Sequence, residues 1–388
     1  MAENINAYKK PDISQLASGE KMIYQAIQLW DYRSKLKADD FETAILKGID
    51  AALSKSNLLL EKYPVFLPFR DTDEDDIVDP DKARVIYEGD MARLAEKTFA
   101  IIGFNDGLAK DSGECFEYGC AAALGIPSIM TLSDFEYFTN RYKDTAKTLL
   151  LQYVIDPVVV AGVGKIIVEN TLPLPPDESP LPTSREIKEQ LEKKAQFRKR
   201  LEVGMKLLYN RVAEETENIC LHPGMYIPDI PRIPEKSEGV KTVYLAMEGL
   251  YQWQIEKMDE LQETLEAEGF KVYRSMRFDP RHQKEFVRKY GDNAVVELGR
   301  YDLRNVIESD IVVTLGDGAD MPAGPSFIQG YAKTLDKKVV LYYSGNQQID
   351  AEGGTQTLVN LMLEYSADKI AYSSEMVVEY VKAVSQEL

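Results

Sequence analysis

Glu117 is the residue whose position in this 388-residue chain best fits catalytic chemistry. It lies in residues 99–130, which read FAIIGFNDGLAKDSGECFEYGCAAALGIPSIM. This pattern predicts a buried strand over 99–104, a turn-rich loop, a small-residue helix over 114–124 and then a second, parallel strand. Ligands bind where loops leave the carboxyl ends of such strands, and the helix dipole stabilises an anion there. We therefore expect Glu117 to be ionised and nucleophilic.

A second copy of this segment, residues 314–344 (TLGDGADMPAGPSFIQGYAKTLDKKVVLYYS), provides an internal comparison. Its glycines and Phe327 keep the spacing of the first copy, but Ile328 stands opposite Glu117 and Pro322 stands opposite Asp111. The second copy has thus kept the scaffold and lost both carboxylates. The alternative interpretation of Glu117, a solvated helix position, is disfavoured because exposed isoleucine is uncommon on such helices.

The repeat extends over whole domains, since Tyr24 matches Tyr244 on two predicted first strands and Asp90 matches Asp302 at the start of two predicted helices. A repeat this long indicates duplicated domains rather than a solenoid. Between the copies lie a proline-rich linker and a charged pattern typical of a long spacer or packing helix. We predict an α/β protein with parallel sheets, divided into 1–170 with the candidate site, 171–238 as linker and long helix, and 239–388 as a degenerate copy.

The composition of the chain restricts which partners we expect it to bind and which cellular compartment we expect it to occupy. The net charge of −18 repels the phosphates of nucleic acid polymers but is compatible with a neutral or singly charged small ligand. Three cysteines make a disulfide framework unexpected, and no segment resembles a signal peptide or a membrane span. We expect a cytoplasmic protein that binds neither a nucleic acid polymer nor a membrane.

The sequence has few residues suited to other catalytic or metal-binding chemistries. The two histidines lie far apart, so histidine triads and zinc sites are not expected. The acidic run 71–76 (DTDEDD) lacks the spacing of a calcium loop and favours a solvated turn. Cys115 and Cys120 are interpreted as small core residues. We expect neither a metal nor an organic cofactor.

The order and spacing of several residues resemble those of a known family. They are Tyr24-x-Ala26 on the first strand, Asp90 ahead of the third strand, and the string Asp111-Ser112-Gly113-x-x-Phe116-Glu117-x-Gly119-x-Ala121. This arrangement resembles the nucleoside 2-deoxyribosyltransferases, which move 2-deoxyribose between nucleobases. The resemblance covers residues 20–130 and again 240–365. It implies two flavodoxin-like, Rossmann-like domains related by internal duplication.

The resemblance also implies a role for each matching residue. Glu117 would attack the anomeric carbon, Tyr24 would hydrogen-bond that carboxylate, and Asp90 and Asp111 would bind the base and assist its protonation. The reaction itself needs such groups, because the sugar becomes cationic while the departing base becomes negative. The further expected substrate contacts are Asp106, Ser112 and Gly113.

This chain departs from the family pattern in two places. Glu114 adds a carboxylate at Glu114-Cys115, where the family often has a small residue and threonine or leucine, and Tyr24 is followed by QAIQLW instead of a glycine-containing turn. The preferences for purine or pyrimidine, for deoxyribose or ribose, and for nucleoside or nucleotide therefore stay open.

Members of this family form oligomers in which a neighbouring subunit completes each site through an asparagine near the C-terminus. Asn360, in the second copy, is the candidate here, and the first copy has no clear equivalent. We hypothesise that the two halves form an internal pseudo-dimer in which Asn360 reaches the sugar 5′ position. A homo-oligomer is the other expectation for the assembly, and a helix cap is the other interpretation of Asn360.

Two further function classes remain open. An N-glycosidase would use Glu117 but let water resolve the ester, with Arg33 and Ser112 as candidate contacts for a 5′-phosphate, although Arg33 is equally typical of a surface residue. A non-catalytic nucleotide-binding module is the third class, because the second copy has already lost its carboxylates.

Overall fold

The computed structural model describes the chain in fourteen ranges. These are residues 21–27, 32–56, 60–71, 80–105, 111–132, 156–168, 194–230, 241–247, 252–275, 288–316, 321–344, 349–350, 356–357 and 359–388. The predicted proline-rich linker, Asp106 and residues 72–76 of the acidic run lie outside these ranges. None of the helices within the ranges is both long and apolar enough to cross a membrane.

The first half forms a five-stranded parallel sheet with the strand order β2-β1-β3-β4-β5. Its strands are β1 (Lys21–Ile27), β2 (Leu60–Phe66), β3 (Thr98–Phe104), β4 (Ser128–Leu132) and β5 (Lys165–Val168). Its helices are α1 (Tyr32–Leu53), α2 (Pro68–Asp71), α3 (Pro80–Glu96), α4 (Ser112–Leu124), α5 (Pro157–Gly162) and α6 (Lys194–Leu221).

The second half repeats this order, with a parallel sheet β7-β6-β8-β9-β12. Its sheet strands are β6 (Thr242–Ala246), β7 (Lys271–Arg274), β8 (Ile311–Leu315), β9 (Lys338–Tyr342) and β12 (Lys369–Ala371), and a small hairpin pairs β10 (Ile349–Asp350) with β11 (Gln356–Thr357). Its helices are α7 (Gln252–Ala267), α8 (Ala294–Glu308), α9 (Ala323–Thr334), α10 (Leu361–Ser366) and α11 (Ser374–Ser385). The prediction of two flavodoxin-like or Rossmann-like parallel-sheet domains is confirmed.

Some predicted helix boundaries are wrong. Asp90 and Asp302 lie inside α3 and α8 instead of opening them. Gly89, just before Asp90, resembles a helix break, but a helical glycine costs only about 1 kcal/mol, which packing offsets. The helix carrying Glu117 begins at Ser112, two residues earlier than predicted, because Asp111 caps it.

The long charged helix α6 is a packing helix. Its residues Leu208, Val212 and Ile219 belong to the buried cluster on the outer face of the first sheet, together with Phe41 and Ile45 of α1. The corresponding face of the second sheet is covered by α7 and α11. Each sheet is thus covered by helices on the side that faces away from the other half.

Between the two sheets lies one continuous apolar core that contains residues of both halves, including Tyr24, Phe116, Tyr244 and Phe327. At its centre α4 packs directly against α9. A Cβ atom added to Gly119 would lie 2.0 Å from the carbonyl oxygen of Phe327, and one added to Gly330 would lie 2.1 Å from that of Phe116. These contacts are reciprocal between equivalent residues, as at an isologous dimer interface.

We predict that Gly119→Ala lowers the free energy of unfolding by about 1–3 kcal/mol, because the added methyl group forces two packed backbones apart. Urea unfolding followed by circular dichroism measures this. Gly89→Ala is the matched control, since its methyl group would meet only the flexible end of Arg93, at 3.0 Å. Equal stability of the two variants would contradict the close approach of α4 and α9.

Candidate active site

Helix α4 and strand β3 place Glu117 at the carboxyl end of the first sheet. The Asp111 side chain accepts a hydrogen bond from the Glu114 backbone N–H at 2.8 Å, which caps the helix. The helix ends at Gly125, whose φ of 67° is the left-handed conformation that glycine adopts readily. Every side chain of β3 is buried, as expected for a parallel strand with helices on both faces.

Glu117 is buried, with 7% of its surface exposed, so the solvated interpretation does not hold. The hydroxyl of Tyr24 on β1 donates a hydrogen bond to Glu117 Oε1 at 2.6 Å. This length is typical of a charge-assisted O–H···O⁻ bond. Tyr24 is itself fully buried, and its ring lies 5.2 Å from that of Phe66. The sheet therefore fixes the donor and the helix fixes the acceptor.

A cleft opens above this pair, with a volume of about 420 Å³ that includes open solvent. Five of the residues expected from the sequence line it together: Asp90, Asp111, Gly113, Glu117 and Asn360.

The other residues that line the cleft were harder to predict from the sequence. Ile27, Pro68, Leu361 and Met362 supply apolar walls, and Glu114 adds a further buried carboxylate. No lysine, arginine or histidine of the described residues lines the cleft. Nor is any group of three or more His, Cys, Asp or Glu side chains in the described ranges arranged to hold a metal ion.

Three other expected site residues are not placed in the cleft. Ser112 is the first residue of α4 and is fully buried outside the cleft lining. Arg33 lies in α1, but its side chain is outside the part of the chain that the structure describes. Asp106 lies outside the described residues altogether.

Asn360 combines the two interpretations that the sequence left open. Its side chain caps α10 by accepting a hydrogen bond from the Met362 backbone N–H at 2.9 Å. It also packs on α4, since a Cβ atom added to Gly113 would lie 2.6 Å from Asn360 Nδ2. A residue of the second half thus forms part of the wall beside Glu117.

The equivalent of Asn360 in the first half is Asp156, which the sequence comparison missed. Asp156 caps α5 by accepting from the Val158 backbone N–H at 2.9 Å, and its carboxylate packs where a Cβ atom on Gly324 would lie. The local sequences share no residue, so only the matching elements show the relationship. The neutral amide of Asn360 therefore faces the acidic cleft of the first half. The carboxylate of Asp156 faces the second half, which has no counterpart of Glu117 or Asp111.

Asp90 is a cleft carboxyl whose proton affinity departs from the ordinary value. Burial raises the pKa of Asp90 from 3.8 to about 7, and Arg93 beside it, at 3.5 Å, lowers the pKa by a smaller amount. A carboxyl group with this pKa can donate and accept a proton near neutral pH.

The sequence matches no protein-family model, and a search of curated proteins also finds no match. Among solved structures, a 2-deoxyribosyltransferase from Bacillus psychrosaccharolyticus is similar to 36% of this chain and 91% of its own length, with 21% identity and a TM-score of 0.30. A conserved protein from Enterococcus faecalis V583 is similar to 39% of this chain and 100% of its own length, with 21% identity and a TM-score of 0.31. Similarity this low carries no information about activity, which must be inferred from the site.

We predict that Asp90→Asn stabilises the protein at alkaline pH relative to the wild type. The folded state keeps the Asp90 proton up to about pH 7, whereas the unfolded state releases it near 3.8, so the folded state binds more protons in that window. The free energy of unfolding of the wild type should therefore fall, relative to that of the variant, as pH rises through the window, by about 2–4 kcal/mol. Urea unfolding of both proteins at several pH values measures it, and parallel curves would contradict the raised pKa.

Proposed function

We propose that this protein transfers 2-deoxyribose between nucleobases through a covalent glycosyl ester on Glu117. The observation that carries the proposal is the buried hydrogen bond from Tyr24 to Glu117 at the base of the acidic cleft. One Glu117 oxygen accepts from Tyr24, and the other is the nucleophile. Holding a carboxylate in line with a sugar carbon removes much of the entropic part of the barrier.

In the first step the bond between the anomeric carbon and the base nitrogen breaks, and its electron pair leaves with the base. The sugar acquires positive charge, which the Glu117 carboxylate stabilises before its oxygen bonds to the same carbon. Asp90 is well suited to supply the proton that neutralises the base, because its pKa of about 7 leaves it partly protonated at neutral pH. Asp111 lies in the same lining and is the second candidate contact for the base.

In the second step another base attacks from the side that the first base left, which regenerates Glu117 with net retention. The apolar residues Ile27, Pro68, Leu361 and Met362 line the cleft and would limit the access of water to the ester. For this reason we propose transfer rather than hydrolysis. We propose a nucleoside rather than a 5′-monophosphate as the donor, because the lining residues that the structure describes include several carboxylates and no cationic side chain.

The second half has a function in this proposal although its own copy of the site has no carboxylate opposite Glu117. Asn360 would bind the sugar 5′-hydroxyl, since its amide can both donate and accept hydrogen bonds without adding charge. An aspartate at this place would add to the negative charge and oppose ionisation of Glu117. The two halves would then act as an internal pseudo-dimer with one working site.

We predict that incubation of a 2-deoxynucleoside with a second base yields the exchanged nucleoside. Glu117→Gln should lower this rate by at least about 1,000-fold, because the amide cannot form the ester. Tyr24→Phe should lower it by about 10- to 100-fold through loss of one hydrogen bond to a charged group.

Chromatography of the nucleosides gives the readout, and Glu88→Gln, on an exposed side chain of α3, is the matched control. Free sugar without exchanged nucleoside would indicate a hydrolase. Turnover that persists in Glu117→Gln, or wild-type protein that is inactive on every nucleoside and nucleotide, would favour a binding module.

We also predict a difference between the two helix caps. Asn360→Ser keeps a capping oxygen but loses the reach of the amide, so its kcat/KM should fall about 10- to 100-fold. Asp156→Ser is the matched control, because it changes the equivalent cap of the other half and should leave the rate unchanged. Equal losses would show that only helix capping matters at Asn360.

A further inference from the structure

Arg93 contacts a carboxyl group of the cleft from behind, outside the described lining. Its guanidinium Nη1 lies 3.5 Å from Asp90 Oδ1, so the two side chains form an ion pair. They are three positions apart on α3, which makes them neighbours on the helix surface. The Asp90 side chain is only 2% exposed, whereas that of Arg93 is 36% exposed. The ion pair thus joins a buried acid to a cation that still contacts water.

The ring of Phe66 holds the guanidinium in this position. The central carbon of the Arg93 guanidinium lies 4.7 Å from the centre of the Phe66 ring. A cation over an aromatic face is attracted to the ring electrons. The Tyr24 ring lies 5.2 Å from the same Phe66 ring. Phe66 therefore contacts both the residue that binds Asp90 and the residue that binds Glu117.

In the second copy a neutral amide replaces this cation. Asp302 corresponds to Asp90, and Asn305 follows it by the same three residues that separate Arg93 from Asp90. Both Asp302 and Asn305 are buried. Asp302 accepts a hydrogen bond from the hydroxyl of Ser275, which is also neutral. At this helix position, therefore, a cation is present in the first half and absent from the second.

The proposed reaction requires Asp90 both to give up a proton and to take one back. In the first step the Asp90 O–H bond breaks and an N–H bond forms on the departing base, which leaves Asp90 as an anion. In the second step the incoming base loses its N–H proton to that anion while its nitrogen bonds to the sugar. A group that does both must favour neither form strongly.

Burial alone would favour the protonated form of Asp90 too strongly for this exchange. Burial raises the pKa of Asp90, and the positive charge of Arg93 opposes the rise, so that the pKa is about 7. Because Asp90 is buried, its attraction to Arg93 is screened less than that of a surface pair.

The other titratable groups around the described part of the cleft cannot stabilise an anion in this way. They are the hydroxyl of Tyr24 on β1 and the carboxyl groups of Asp111, Glu114 and Glu117 on α4. The residues that α2 and α10 contribute to the lining, Pro68, Asn360, Leu361 and Met362, are neutral. A negative charge on any of these carboxyl groups favours the protonated form of Asp90, as burial does.

We propose that Arg93 is a positioning residue that holds Oδ1 of Asp90, leaves Oδ2 to exchange a proton with the base, and stabilises the Asp90 anion between the two steps. This proposal rests on the proposed function. It implies that loss of the cation slows discharge of the ester more than formation of the ester.

The test compares Arg93→Met with the wild type in the two halves of the reaction. With a covalent intermediate, kcat/KM of the donor nucleoside reports ester formation, and kcat/KM of the acceptor base reports ester discharge. Loss of the cation should move the pH dependence of both upward by about one pH unit. At pH 7 the acceptor kcat/KM should then fall about fivefold, while the donor kcat/KM should not fall, because more of Asp90 is protonated.

Two further variants separate the charge of Arg93 from its packing. Arg93→Lys keeps the positive charge and should recover most of the acceptor kcat/KM. Arg84→Met is the matched control, because Arg84 is exposed on the same helix, where it pairs with Glu88. It should leave both values of kcat/KM unchanged. Equal losses for donor and acceptor in Arg93→Met, with unmoved pH profiles, would overturn the proposed role of Arg93, since altered folding has that effect.

Urea unfolding gives a second readout that does not depend on activity. The folded Arg93→Met protein should keep the Asp90 proton to a higher pH than the wild type. The fall in its free energy of unfolding that accompanies loss of this proton should therefore extend further above pH 7. Identical unfolding profiles in the two proteins would also overturn the role of Arg93. Wild-type protein that exchanges no base, although this extension is observed, would instead overturn the proposed function.

Discussion

A carboxylate that leaves water must find hydrogen-bond donors within the protein, and the Tyr24 hydroxyl meets this need for Glu117 at 2.6 Å. The donor stands on β1 and the acceptor on α4, so the bond also fixes the helix against the sheet. The other carboxylates of the cleft are arranged around this pair. Without it, Glu117 would be a charged side chain beside an apolar core and would have no defined direction towards a ligand.

Under the proposed function, the close packing of α4 on α9 would account for the retention of a second copy that lacks the carboxylates. Gly119 and Gly330 let two backbones approach within contact distance, and the resulting core belongs to both halves. The same packing brings Asn360 and the apolar residues Leu361 and Met362 to the cleft. The second half has Ile328 opposite Glu117, but its fold supplies part of the wall of the cleft that contains Glu117.

The sequence predicted the α/β class and the parallel sheets, because buried parallel strands and repeated glycine spacing leave clear local patterns. Asp90, Asp111, Glu117 and Asn360 were expected to lie together only because the family resemblance implied it, and the structure places all four in the lining of one cleft. The sequence placed Asp90 and Asp302 at helix starts, since aspartate is a common helix cap, whereas each lies inside a longer helix. Helix boundaries depend on tertiary packing that such patterns do not report.

Relationships between distant segments were harder to predict. Asp156 was missed because its neighbours share no residue with those of Asn360, and the equivalence exists only in three dimensions. Glu114 was noted as a departure from the family pattern, but its burial over Gly103 depends on strand β3 lying beneath α4. Such contacts between segments far apart in sequence follow from the fold as a whole.

The covalent ester on Glu117 is the claim that can be measured most directly. Protein quenched with acid during turnover of a 2-deoxynucleoside, without an acceptor base, is digested and analysed by mass spectrometry. The account predicts one added deoxyribosyl group on the peptide that contains Glu117, and none in Glu117→Gln. Active protein that carries no adduct, or carries it on another peptide, would contradict the account.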